Sequence, residues 1–194
     1  MIKLLFNPFE DFLERKLLLF GSVTLICGSF IGYVFKGRYD GVLDVHFVDQ
    51  IRIHEPFVDL LIGIACATLL LYILGYSINK KTRWIDVLIT VIIAKIPFYL
   101  LPFLNFNNGI SVASNKIIQS LTSTVENLNL TSNEIVLLVI SSILSLLALV
   151  WSVILLFNGY KTATNSKEIK HTLFFIVVLI ISEFLSKVVI TLIN

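Results

Sequence analysis

Ile135–Phe157 reads IVLLVISSILSLLALVWSVILLF, an apolar run of 23 residues without one charged side chain. The hydrocarbon core of a bilayer, about 30 Å thick, is crossed by about 20 such residues in a helix. This run is therefore expected to span a membrane. Four others meet the same rule: Leu17–Phe35, Phe57–Ile78, Trp84–Leu104 and Thr172–Ile193. Backbone amides in hydrocarbon are satisfied only within a helix or around a closed barrel, and none of the runs has a barrel's period-two alternation. The expected fold is all-α: a polytopic membrane protein with five transmembrane helices, forming one domain over residues 1–194.

Composition agrees. Of the 194 residues 57% are hydrophobic and 14% charged, with a mean hydropathy of +0.92. A soluble domain of this length could not hide so much apolar surface. A formal net charge of +2, with basic residues beside apolar runs, argues against nucleic acid as a partner; the expected partners are the lipid bilayer and other membrane proteins. Cys27 and Cys66 each lie within an apolar run and suggest no disulfide framework. The first apolar run has no small-residue cleavage site after it and no lipidation box before Cys27, so it is expected to be retained as a span.

The connectors differ in charge. Lys3, Arg15, Lys16, Lys80, Lys81, Arg83, Lys161, Lys167 and Lys170 fall on one side, against Lys36, Arg38, Arg52 and Lys116 on the other. By the positive-inside rule the N-terminus is expected in the cytoplasm and Asn194 outside. The short connectors Asn79–Arg83 and Asn158–Lys170 predict antiparallel hairpins of spans two with three and four with five.

Asn7-Pro8-Phe9-Glu10 has the order of a helix start, with Asn7 as N-cap and Pro8 in the first turn. A short N-terminal helix lying in the interface is predicted. In the polar connector Asn105–Glu134, Ile117, Ile118, Leu121, Val125 and Leu128 recur at helical spacing and predict an amphipathic helix. Thr131-Ser132-Asn133-Glu134 has the capping-box spacing for span four. Val45, Phe47, Ile51 and Ile53 alternate with polar residues, as in a short hairpin.

The ions deepest inside spans are Lys95 in span three, and Glu183 and Lys187 in span five. Such ions mark functional sites or act as paired structural glue. Lys95 and Glu183 each lie eleven residues from the start of their span, about 17 Å deep at 1.5 Å per residue, which predicts a mid-membrane pair with Lys187 as the second partner. Pro97 and Pro102 remove backbone donors beside Lys95 and predict a kinked span three. Gly28 and Gly32 form a GxxxG, and Ser141, Ser145, Ala148 and Ser152 a small-residue stripe, both expected as helix contact faces. Asp44, His46, Asp49, His54 and Glu55 crowd one connector, but their spacing matches no metal-ligand pattern. No catalytic motif and no cofactor signature is legible.

Asn7-Pro8-Phe9 before span one, Ile96-Pro97-Phe98 in span three, and Trp151 leading through Phe157-Asn158-Gly159-Tyr160-Lys161 together resemble the Yip (Ypt/Rab-interacting protein) domain family over nearly the whole chain. The resemblance implies five spans, a cytoplasmic N-terminus and a non-enzymatic role organising membranes or partner proteins. Only sixteen residues precede span one, and the Asp-Leu-Tyr-Gly-Pro stretch of the trafficking members is absent, so GTPase binding is not expected. The chain is most similar to short bacterial members, which implies a bacterial cytoplasmic membrane. A reading from another class is a small-solute or ion pathway built on Lys95, Glu183 and the Pro97 kink.

Overall fold

The computed structural model describes residues 5–122, 130–166 and 168–193. It contains five segments long and apolar enough to cross a bilayer, and the chain is an all-α multi-pass membrane protein. In order come α1 (Glu14–Val34), a two-stranded antiparallel ribbon of β1 (Gly37–Arg38) and β2 (His46–Phe47), α2 (Glu55–Ile78) and α3 (Trp84–Ala94). A 3-10 segment (Ile96–Asn108), α4 (Gly109–Thr122), α5 (Ser132–Thr164) and α6 (Ile169–Ile193) follow. Phe30, Leu146, Leu147 and Phe184 stand exposed on the outside of the bundle, an arrangement suited to lipid rather than water. Lys3, Lys167, Asn194, Val125 and Leu128 lie outside the described residues.

Span three, made of α3 and the 3-10 segment, is the centre. In its most apolar window 72% of residues are buried, against 17% for α5. Spans one, two and four pack on it. The GxxxG face of α1 serves this contact: Gly28 lies against the Tyr99 ring, and Gly32 against Tyr39, Pro56 and the Gly37 carbonyl. Spans two and three form the expected hairpin, closed by Thr82 Oγ1 donating to the Gly75 carbonyl at 3.1 Å.

Spans four and five do not pair along their length. The backbone of α5 runs on to Thr164 and ends at a left-handed Asn165 (φ 50°), and α6 then packs along α2. The two helices meet near their connector, where Phe157 and Tyr160 pack on Phe175 at 5.6 and 5.1 Å. Small buried residues explain the choice: Ser182 and Ser186 of α6 are fully buried and permit close approach, whereas residues 142–147 of α5 are exposed throughout. Ser145 accordingly lies outside the contact stripe, which runs through Ser141, Ala148 and Ser152.

The N-terminal helix begun by Asn7 is not formed. Pro8–Phe12 make a single turn, with the Asp11 and Phe12 amides donating to the Pro8 carbonyl. The Asn7 carboxamide donates to Glu10 at 3.0 Å, and its oxygen caps nothing. Residues 5–9 are drawn onto α5 instead, because Trp151 and Asn158 donate to the Leu5 and Phe6 carbonyls, each at 2.9 Å. The capping box at Thr131 is present: the Glu134 amide donates to Thr131 Oγ1 and the Thr131 amide to Glu134 Oε2. The connector helix α4 is also present, but it buries Ile110 and Ala113 at its start while Ile118 and Leu121 face outward.

Candidate functional site

The break in span three shapes the site. Pro97 has no amide to donate one turn back, and the Phe98 amide donates to the Lys95 carbonyl at 3.0 Å in a tight turn. That leaves the Ala94 carbonyl without its helical donor. Ser152 of α5 supplies one, its hydroxyl donating to Ala94 O at 2.6 Å. A serine on a neighbouring helix is a common means of satisfying a freed carbonyl within a bilayer. The Lys95 side chain leaves from this break and is 2% exposed.

The acceptor it finds is backbone. The connector between spans one and two turns inward after β1, burying Tyr39 and Val42. Tyr39 donates its hydroxyl to the Gly28 carbonyl at 2.9 Å and meets Tyr99 edge-on at 5.9 Å. Lys95 Nζ donates to the Gly41 carbonyl at 2.7 Å. From the other side the Leu43 amide donates to Glu183 Oε2 at 2.6 Å. A Cβ on Gly41 would overlap the Glu183 carboxylate, and one on Gly63 would lie 3.2 Å from the Gly41 oxygen. Gly41 thus fits where Lys95, Glu183 and α2 converge. Irregular backbone at this depth is tolerated because protein surrounds it.

Two ion pairs hold the ends of this inserted loop. Arg38 grips Asp59 of α2 with two hydrogen bonds of 2.8 and 2.7 Å, and the Asp59 side chain is fully buried. Lys187 meets Asp44 at 2.5 Å and Glu183 at 3.3 Å. Nearer the surface His46 Nδ1 lies 2.9 Å from Asp40 Oδ2. That hydrogen bond holds the imidazole above its ordinary value, against the opposing effect of burial. Burial pushes the Asp40 carboxyl up, but the His46 hydrogen bond and charge bring it net below the ordinary value.

Lys95 and Glu183 therefore share one site at matching depth, yet they are not a direct pair, because the 41–43 backbone stands between them. Lys187 is the cation within reach of Glu183. The other polar residues of the connector go to separate partners, with Asp49 accepting from Asn115 and Glu55 from the Arg52 amide. Val45–Ile53 form no hairpin of their own; Arg38 pairs with His46 and Gly37 with Phe47. Sequence reasoning missed Arg38, Asp59 and Gly41. Asp59, two residues inside the second apolar run, was the available signal: an acid there needs a cation.

The fold and the site together define a polytopic α-helical membrane protein whose interior is crossed by a backbone loop held between intramembrane charges. No family model, curated protein or solved structure matches the chain.

Proposed function

We propose that this chain is a non-enzymatic, Yip-like multi-pass protein of a bacterial cytoplasmic membrane, with its N-terminus in the cytoplasm, and that it organises the bilayer or partner proteins around it. The observation that carries this reading is the occupied interior. Lys95 and Glu183 are engaged by the Gly41 carbonyl and the Leu43 amide of the chain itself. Groups so engaged fix a loop rather than await a solute. The order of Asn7-Pro8-Phe9, Ile96-Pro97-Phe98 and Phe157–Lys161 supports the family likeness, and the charge asymmetry of the connectors supports the orientation.

One observation favours an ion pathway as the second reading. Asp44 and Lys187, with half-exposed side chains, lead inward to Glu183. Flux through proteoliposomes separates the two. The organising role predicts no flux of protons or small ions above protein-free vesicles, and recovery of stable partners from native membranes solubilised in mild detergent. Flux that Glu183→Gln abolishes would replace it with the pathway.

A further inference from the structure

Along the N-terminal rim the segment at residues 5–12, held on α5, forms one wall of a groove. Trp151 and Asn158 hold its backbone, and the Phe6 ring meets Trp151 edge-on at 6.4 Å. The groove has a volume of 460 Å³, and its walls include Phe12, Phe20, Ile93, Ile96, Trp151 and Leu155. Lys16 is the one charged residue lining it. Lys16 and its neighbour Arg15 are exposed, and neither forms an ion pair among the described residues.

Depth and charge identify the occupant. The rim is marked by Arg83, just before α3, which pairs with Glu14 at the start of α1. At 1.5 Å per residue Ile93 lies about 14 Å below Trp84, close to the roughly 15 Å of one leaflet. The groove thus runs from a cationic mouth to the bilayer mid-plane. Apart from Lys16 the lining is apolar, so the slot suits a hydrocarbon chain, and the cation at its mouth complements an anionic headgroup.

We propose that this groove binds one acyl chain of an anionic phospholipid whose phosphate is held at the mouth by Lys16. The preference for an anionic headgroup comes from Lys16 and the affinity from the buried chain, so the two are separable.

The test uses the full chain in mild detergent, incubated with phosphatidylglycerol or phosphatidylcholine of identical acyl composition and read by native mass spectrometry. One phosphatidylglycerol per chain should be retained, about fivefold more than phosphatidylcholine, as expected for one cation near the headgroup. Lys16→Gln should remove that preference while leaving acyl binding, Lys80→Gln on the same rim should leave both, and Leu155→Trp should lose both lipids. The chain has two tryptophans, Trp84 and Trp151, so Trp84→Phe leaves Trp151 as the sole tryptophan, excited selectively at the red edge of its absorption. Phosphatidylglycerol brominated on its acyl chain should quench it, and unlabelled phosphatidylglycerol should relieve the quenching better than phosphatidylcholine. Equal retention of the two lipids by the unaltered chain, or an absence of Trp151 quenching, overturns the site even if the Leu155 variant does not fold.

Discussion

Because the Lys95 ammonium donates to the Gly41 carbonyl rather than to a carboxylate, its removal strands a backbone acceptor at mid-membrane. Lys95→Met should lower stability in detergent by about 2 kcal/mol, the range for a hydrogen bond to a charged group. Glu183→Gln keeps an acceptor for the Leu43 amide, and Lys187 retains Asp44, so about 1 kcal/mol is expected. A direct ion pair would make the double mutant more stable than Lys95→Met alone. The shared loop predicts a double mutant no more stable than that, with a loss short of additive. Thermal unfolding of the three variants decides between them. His46 adds a pH dependence. Its pKa is raised on folding, so its contribution is full below its ordinary value of about 6.5 and is lost as pH rises through the raised value. Asp40 is lowered, so its contribution is full above its ordinary value of about 3.9 and is lost on further acidification. Unfolding temperatures of the unaltered chain and His46→Gln should differ most between those two values and converge in alkali; a constant difference would sink the assignment.

At the scale of elements, span three illustrates how a broken helix is made tolerable. Pro97 and Pro102 were sufficient to predict the break, and the structure turns into a 3-10 segment at that place. Which helix supplies the missing donor was not legible, because any of several serines could do so. The structure assigns Ser152 to the Ala94 carbonyl. Ser152→Ala should therefore cost about 1 kcal/mol, as for interhelical hydrogen bonds in bilayers. Ser145→Ala, on an exposed turn, should be neutral in the same unfolding assay. The glycine face of α1 was legible as a contact face, and its ligand is the Tyr99 ring. Gly28→Leu should overpack it and destabilise by about 1–3 kcal/mol. The turn at Pro8–Phe12 marks where local signals misled: Asn7 and Glu10 do interact, but hydrogen bonds from Trp151 and Asn158 hold the preceding backbone against α5.

For the whole molecule the prediction concerns orientation. With nine basic connector residues on one side and four on the other, a reporter active only outside the cytoplasm should be silent when fused after Lys81 and active after Lys116 and after the C-terminal residue. The opposite pattern would invert the topology. The spans, the break beside Lys95 and the presence of mid-membrane charge could all be read from the chain, because hydrocarbon imposes local rules: a minimum apolar length, a proline's missing donor and the expense of an isolated ion. The packing of α6 on α2, the insertion of the loop behind β1 and the identity of Lys95's acceptor were decided only in three dimensions. A helix shows in sequence that it is apolar, but several neighbours offer similar apolar faces and close packing selects among them. Every residue carries the same backbone carbonyl, so an ammonium that binds one leaves no mark in the sequence of the residue it binds.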